Sequence, residues 1–283
     1  MEVELLGERF RIERIGTDGD FEKAIALLRQ LDGQVDAIGL GGIDIYLFAE
    51  DKRYVIRDSK KLVAAVTRTP VVDGSGLKLS LEKLAVQKLE EKGFSFKGKK
   101  VLMVSAVDRW GMACALNEAG AEITFGDLIF GLGIPIPIRT FESFRVLARA
   151  LLPIVVQMPF KVLYPTGKEQ EKEPDPKYAR FYEEADVIAG DFLFLRKYLP
   201  SSMDGKWILT NTITADDVED LRKRRAAYLF TTTPEFEGRS FGTNVMEAVF
   251  IALLGKRPDE VTTDDYLALL EKLNYEPRVE KLV

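Results

Sequence analysis

The middle of this chain contains a strand–turn–helix–strand pattern, and no other feature restricts its possible folds as much. Residues 101–104 are wholly apolar, and residues 105–108 (Ser-Ala-Val-Asp) can form a turn. Residues 109–119 then show the apolar periodicity of a helix, which Gly120 ends, and residues 121–125 are the next predicted strand. This order predicts a βαβ unit with parallel strands and a right-handed crossover.

The same alternation continues beyond this unit. Elements are expected over residues 141–156 (helix), 186–189 (strand), 192–198 (helix), 207–209 (strand), 215–223 (helix) and 227–230 (strand). The polar segment over residues 164–176 is expected to be a solvated loop. Because helices between parallel strands cover both faces of a sheet, the predicted fold class is α/β. The expected architecture is a doubly wound parallel Rossmann-like sheet preceded by a smaller α/β domain.

A chain of 283 residues would normally form two domains or one large one. Residues 1–95 predict a small α/β domain of the substrate-binding type, which ends in a linking helix that Ser80 would cap. Residues 96–243 predict the Rossmann-like domain. Residues 244–283 predict C-terminal helices that return to the first domain.

The chain contains no histidine and one cysteine, Cys114. Without histidine there can be no Ser-His-Asp or Cys-His hydrolase site, no histidine metal ligand and no histidine base. A single cysteine excludes an intramolecular disulfide and argues against structural zinc, so no metal is predicted. Any proton transfer would therefore depend on Lys, Asp, Glu or Tyr side chains.

The charge and the apolar segments restrict the partners. A formal net charge of -5 gives no electrostatic footprint for nucleic acid or an anionic membrane, so neither is expected. The first residues, MEVELLGERF, lack the pattern of a signal peptide, and the longest apolar stretch, residues 148–160, is too short to cross a bilayer. Together with the single cysteine, this predicts a cytoplasmic location. The apolar segments over residues 129–138 and 151–160 could pack internally or form a homodimer seam.

Small, polar and hydroxylated residues follow the predicted strands, where an open parallel sheet binds its ligands. Such residues can bond a polar ligand, although they are also ordinary turn and cap residues. The candidate cofactor-binding residues are Ser105, Asp108, Arg109, Gly111, Asp127, Asp191, Thr210, Asn211, Thr231 and Thr232. Asp127 lies 22 residues after Ser105, near the spacing of about 20 at which a carboxylate holds the adenosine ribose of NAD.

The turn before the first helix departs from the dinucleotide-binding pattern Gly-x-Gly-x-x-Gly. Residues 105–111 are Ser-Ala-Val-Asp-Arg-Trp-Gly, in which only Gly111 remains, one place late. Asp108 would repel a diphosphate, and Arg109 could compensate in part by ion pairing. Two alternatives stay open: NAD or NADP binds in an unusual way, or the fold binds another ligand.

Other candidate residues lie outside this edge of the sheet. Lys60 and Lys61 could form a lysine–carboxylate pair with Asp73 for proton transfer, although a lysine pair on a helix is also typical of a solvated face. Gly41 and Gly42 follow a predicted strand, where glycine permits close approach of a substrate or of backbone. Further candidate substrate-binding residues, in and after the polar segment that enters the next helix, are Ser240, Asn244 and Glu247.

Several segments resemble the quinate/shikimate 5-dehydrogenase family, over roughly residues 58–255. Residues 69–76 (TPVVDGSG) are similar to the family's Asn-Thr-Asp-Gly-x-Gly segment, and residues 185–188 (ADVI) to its Ala-Asp-Leu-Ile strand. Residues 242–248 (GTNVMEA) are placed like its Gly-x-x-Met-Leu-x-x-Gln-Ala helix. The family's Asn-Val-Thr-x-Pro-x-Lys run is absent around Lys60.

The resemblance implies a substrate domain and a nicotinamide-binding domain with a cleft between them. It implies that Asp73 is the carboxylate partner of a catalytic lysine, Lys60 or Lys61, and that Glu247 lies near the position of a substrate-binding glutamine. The leading hypothesis is an NAD(P)-dependent oxidoreductase that acts on a quinate/shikimate-like or hydroxy-acid substrate. The alternatives are a non-catalytic Rossmann-like protein that binds or senses a small molecule, and a transferase with an anion site at the hydroxyl-rich strand ends.

Overall fold

The N-terminal part of the chain consists of short elements. The computed structural model describes residues 1–50, 52–159, 163, 178–236, 239–240 and 242–283, with the backbone alone for residues 235–236 and 239–240. Up to residue 74 the elements are β1 (Glu2–Leu5), β2 (Glu8–Arg11), α1 (Phe21–Leu31), β3 (Ile38–Gly39), β4 (Tyr46–Ala49), β5 (Lys52–Val55), α2 (Ser59–Val63) and β6 (Val71–Val72). β1–β2 and β4–β5 are antiparallel pairs, and β3 pairs in parallel with β6. Strands as short as β6 show too little alternation to be recognised from sequence.

Helix α3 (Ser75–Glu91) links this part to the main sheet. It begins earlier than the cap predicted at Ser80, because Gly74 adopts a φ of +95° and turns the chain directly into the helix. Ser80 lies buried within the helix instead. The added turn carries Lys78, which proves to be a central residue of the site.

A six-stranded sheet organises the rest of the chain. The elements are β7 (Lys100–Met103), α4 (Trp110–Glu118), β8 (Glu122–Phe125), a π-helical turn (Asp127–Gly131), α5 (Phe141–Val155), α6 (Ala179–Glu184), β9 (Val187–Ala189), α7 (Phe192–Tyr198), β10 (Trp207–Thr210), α8 (Ala215–Lys223), β11 (Tyr228–Thr231), the pair β12 (Glu235–Phe236) and β13 (Arg239–Ser240), α9 (Thr243–Leu254), α10 (Thr263–Lys272) and β14 (Arg278–Lys281). The strand order is β8-β7-β9-β10-β11-β14, parallel except for β14. The predicted α/β class with a mostly parallel sheet is confirmed. The predicted loop over residues 164–176 lies outside the described residues.

Alternate residues of the strands face two separate cores. On one face, Val101 and Met103 pack with α3, α4 and α5, for example with Phe144 of α5. On the other face, Leu102 packs with α6, α7 and α8, for example with Leu221 of α8. Strands buried on both faces are apolar throughout, which is why the sequence pattern located them.

Helices α9 and α10 form a third core with the N-terminal part. They pack against α3 and, in the case of α9, against β3 and β6. Val3 and Val72 lie in the same buried cluster as Phe250 and Leu270. The chain then returns to the sheet as β14. The N-terminal part is thus joined to the sheet through α3, α9 and α10, and also directly through β4 and β5, since Phe48 and Tyr54 are buried with Val101. Within the described ranges no helix is long and apolar enough to cross a membrane.

Candidate functional site

The turn after β7 is closed by the carboxylate of Asp127. The backbone N–H groups of Ala106 and Val107 each donate to Asp127 Oδ1 at 3.0 Å. Burial raises the pKa of Asp127 to about 6, although the two N–H donors act in the opposite direction. The Oδ2 atom is buried and has no hydrogen-bond partner among the described residues. This carboxylate therefore occupies donors that a bound anion would use.

Three chain segments meet beside this turn and bring together Asp44, Lys78 and Asp108. Asp44 precedes β4, Lys78 lies on α3, and Asp108 follows β7. Lys78 Nζ donates to Asp44 Oδ1 at 2.7 Å and to Asp108 Oδ1 at 3.0 Å. The three side chains are 12, 11 and 14% exposed respectively. The lysine thus bridges the N-terminal part and the sheet in a nearly dry environment.

The two carboxyl groups of this cluster differ in their protonation. Burial raises the pKa of Asp44 to about 7, and the charges of Asp108 and Asp73 add to the rise, whereas Lys78 opposes it. Burial also acts to raise the pKa of Asp108, but Lys78 and Arg109 outweigh it and hold this pKa at about 2. Burial opposes the charge of Lys78, yet Asp108 and Asp44 raise its pKa above the ordinary value. Burial and the neighbouring carboxylates thus favour the protonated form of Asp44, whereas Lys78 and Arg109 favour the ionised form of Asp108.

Arg109 is a second buried cation in this region, with its side chain only 2% exposed. Arg109 donates through Nη1 to Glu82 at 2.9 Å and through Nη2 to Asp191. The same carboxylate of Asp191 also accepts from Asn211 Nδ2 at 2.8 Å. The other Glu82 oxygen accepts from the N–H of Met112 at 3.0 Å. These bonds connect α3, α4 and the end of β9, so Arg109 fixes the position of the turn that carries Asp108.

The threonine side chains at the other strand ends are buried, although the hydroxyl of Thr232 has no hydrogen-bond partner among the described residues. Thr210 and Thr231 are fully buried, and their hydroxyls donate to Gly190 O at 2.8 Å and Thr233 O at 3.3 Å. Thr232 is buried as well. The structure thus leaves these three predicted cofactor-binding residues without surface for a ligand.

Five other predicted cofactor-binding residues follow β7, β9 or β10 in the chain. Ser105, Asp191 and Asn211 keep partial exposure, as Asp108 does. Gly111 is buried on α4, where a Cβ atom would lie 2.9 Å from the backbone of Leu79. Its role is close packing of α4 on α3.

The predicted lysine–carboxylate pair is not assembled. Lys60 and Lys61 are exposed, whereas Asp73 is buried. The carboxylate of Asp73 accepts from the N–H groups of Ile45 and Tyr46, and from both the N–H and the hydroxyl of Ser75. Asp73 therefore shapes the backbone around Asp44 and α3.

Glu247 acts as a structural contact as well. It is 3% exposed, accepts from Gly74 N at 2.6 Å and from Tyr266 Oη at 2.7 Å, and so joins α9 to the start of α3. Burial raises its pKa to about 7, and the charge of Asp73 adds to the rise. Asn244 contacts the same region, donating to Gly39 O at 3.5 Å.

Three predicted residues remain, and the structure describes the surroundings of two of them. Gly41 and Gly42 are exposed at the loop that follows β3. The side chain of Ser240 lies outside the described residues. In the described part of the chain, acidic and cysteine side chains form no group of three that could hold a metal ion.

The oxidoreductase hypothesis is wrong for this site, and the physical reason lies in the assigned residues. Asp127, expected to hold a ribose, instead bonds the turn that a pyrophosphate would need. Lys60 and Lys61, expected to transfer protons, are exposed, whereas the carboxylate of Asp73 is buried and bonded to Ile45, Tyr46 and Ser75. For the same reason, the assignment of the chain as a quinate/shikimate dehydrogenase-like NAD(P) enzyme is wrong. Binding of NAD or NADP by itself stays a prediction that the structure does not test.

Sequence reasoning missed Asp44, Lys78 and Glu82, three charged side chains of this site that are 12, 11 and 1% exposed. Lys78 and Glu82 are four residues apart on a helix whose start was predicted too late. Only the packing of α3 against α4 and the loop before β4 brings these side chains to Asp108 and Arg109. The available signal was weak, because Glu82 lies inside the predicted linking helix whereas Lys78, four residues earlier, lies before its predicted cap at Ser80.

Comparisons with known proteins give two family matches and two similar structures. Residues 1–73 match the family described as Domain of unknown function (DUF8753), and residues 76–282 match Domain of unknown function (DUF8754). A crystal structure of a sugar ABC transport system substrate-binding protein from Bordetella parapertussis shares 14% identity with a TM-score of 0.38, over 94% of this chain and 76% of that one. A crystal structure from Mycobacterium smegmatis shares 13% identity with a TM-score of 0.33, over 94 and 81% of the two chains.

Neither of these two structures is described as an oxidoreductase, and both TM-scores are below 0.5, so neither likeness bears on the function of this chain. No curated protein matches the sequence. The match over residues 76–282 includes the whole six-stranded sheet, α4 to α10 and nearly all of α3. The chain therefore belongs to the family described as Domain of unknown function (DUF8754).

Proposed function

We propose that this protein binds a small polar molecule between its N-terminal part and the carboxyl edge of the sheet, at the ends of β7 and β9. The observation that carries the proposal is the group Asp44, Lys78 and Asp108, which three separate segments bring together at that edge. Each of the three side chains keeps a little over a tenth of its surface exposed. A ligand bound at this edge would meet charged, partly desolvated groups, which form strong hydrogen bonds.

Stability alone is a weak reason for such a cluster. Removing two charges from water costs several kcal/mol per ion, and an apolar replacement is often as stable. Buried groups with shifted pKa values concentrate at functional sites. The rise of the Asp44 pKa and the fall of the Asp108 pKa therefore support a binding role.

The topology supports the same location. The five parallel strands follow the spatial order 2-1-3-4-5, if numbered along the chain, and helices pack on both faces of the sheet. We infer a doubly wound, Rossmann-like arrangement, in which ligands bind where the strand order reverses. That point lies between β7 and β9, next to Asp108 and Asp191. We propose separately that the chain shares common ancestry with the quinate/shikimate 5-dehydrogenase family. This proposal does not depend on that family's activity.

A thermal-shift screen of small polar metabolites tests the proposal. We expect at least one compound to raise the melting temperature of the wild type, because a ligand that binds only the folded state stabilises it. The variant D108N should lose the shift for that compound. D204N is the matched control, since Asp204 is 67% exposed in a surface pair with Arg225. A compound that stabilises D108N as much as the wild type would contradict the proposed site.

A further inference from the structure

We propose that Asp127 determines the specificity of the proposed binding site by excluding molecules that carry a phosphate group. This inference rests on the proposed function, since it concerns which small molecules bind at the same site. It concerns a residue that was expected to bind a ribose and that instead contacts the protein's own backbone.

The donors that Asp127 occupies are of the kind that bind phosphate. A strand–turn–helix segment exposes successive backbone N–H groups at its turn, and these bind phosphate oxygens in many α/β proteins. Here the consecutive N–H groups of Ala106 and Val107 both donate to one oxygen of Asp127, at 3.0 Å each. A phosphate could reach these donors only by displacing the carboxylate. Ionised Asp127 would also repel it.

The backbone around Asp127 holds the carboxylate in this position. The N–H of Gly126 donates to Met103 O at 2.7 Å, and the N–H of Phe130 donates to Gly126 O at 2.8 Å. The first bond ties the residue before Asp127 to the end of β7, and the second closes the π-helical turn that begins at Asp127. Because the side chain starts from a fixed backbone beside the turn, no bound ligand is needed to keep it there.

Two cations of the described residues lie close to this turn, and both are already paired with carboxylates. Lys78 bonds Asp44 and Asp108, and Arg109 bonds Glu82 and Asp191. A phosphate would have to compete with four carboxylates for these two cations. Among the described groups, the backbone N–H pair is therefore the anion-binding element that a single substitution can free.

Substitutions of Asp127 test the inference with inorganic pyrophosphate as the probe. D127A and D127S remove the carboxylate from the turn, whereas D127N keeps an oxygen that accepts from both N–H groups and is the matched control. Isothermal titration at constant ionic strength should show pyrophosphate binding at least tenfold tighter in D127A and D127S than in the wild type and D127N. Equal affinity in all four proteins, or no binding to the two shortened variants while they remain folded, would overturn the inference.

The wild type provides a measurement that does not depend on whether the variants fold. In a pH titration followed by NMR, the amide resonances of Ala106 and Val107 should shift with the same midpoint as the Asp127 carboxyl carbon, near pH 6. If these amides do not follow that carboxyl group, the contact is absent and the inference fails. Either failure leaves the proposed function intact, because that function is tested by D108N and a library of metabolites without reference to pyrophosphate.

Discussion

At the scale of single residues, the buried guanidinium of Arg109 compensates the charge of carboxylates from three parts of the site. It neutralises Glu82, which is 1% exposed, and contacts Asp191 and Asp108. R109M should lower the free energy of unfolding by about 3–5 kcal/mol, because it leaves an uncompensated buried carboxylate. Urea denaturation followed by circular dichroism measures this loss. Since Arg225 forms an exposed pair, R225A should cost at most about 1 kcal/mol, and a similar loss in both variants would contradict the role of Arg109.

Glu247 makes the stability of the protein depend on pH. Its pKa is about 7 in the folded state and about 4.5 in the unfolded state, so the folded state binds more protons between these values. The stabilisation from this group is complete below about pH 4.5 and is lost as the pH rises through 7, by up to about 1.4 kcal/mol per pH unit.

The variant E247Q removes this dependence. Its amide can still accept from Gly74 N and donate to Tyr266 Oη, the two partners of the native carboxylate. Unfolding free energies measured from pH 5 to pH 8 should therefore fall less steeply in E247Q than in the wild type. Identical slopes would show that Glu247 does not titrate in this range.

At the scale of elements, the close packing of α3 against α4 depends on Gly111. A Cβ atom there would lie 2.9 Å from both Leu79 Cα and Leu79 O, so G111A must push the helices apart. We expect a loss of about 1–3 kcal/mol in unfolding free energy, despite the higher helix propensity of alanine. G131A is the control, because no atom lies within 4 Å of its new methyl group. If both alanines have the same effect in urea denaturation, the two helices are not in close contact.

The sequence predicted elements well where one segment determines its own structure. The bounds of α7 and α8 agree with their apolar periodicity, and the capping box of Thr214 and Asp217 starts α8 at the predicted residue. β14 was missed because its four residues (RVEK) pair with β11 only after the chain has returned across the molecule. The start of α3 was missed because it depends on the left-handed conformation of Gly74.

The candidate site was predictable only in part, because it also depends on contacts between segments that are distant in sequence. Asp108, Arg109, Asp127 and Asp191 were located because the carboxyl ends of parallel strands lie at one edge. Their partners come from other elements, and periodicity gives no information on which helix face meets which turn. Lys78 illustrates this, because its neighbours in sequence do not include either carboxylate that it binds.

At the scale of the whole molecule, the two matched family segments share one core. Val3 and Val72 from the first segment are buried with Leu81, Phe250 and Leu270 from the second. We therefore expect a single unfolding transition in differential scanning calorimetry, with equal calorimetric and van't Hoff enthalpies. Two separate peaks would mean that residues 1–73 unfold independently.

The central claim is that a small polar molecule without phosphate binds beside Asp44, Lys78 and Asp108. Mass spectrometry of the compounds released when the purified protein is denatured tests it most directly. Because one hydrogen bond to a charged group contributes about 1.5–3 kcal/mol, D108N should retain at least about tenfold less of the bound compound than the wild type and D204N. A compound retained equally by D108N, or a released dinucleotide, would contradict the claim.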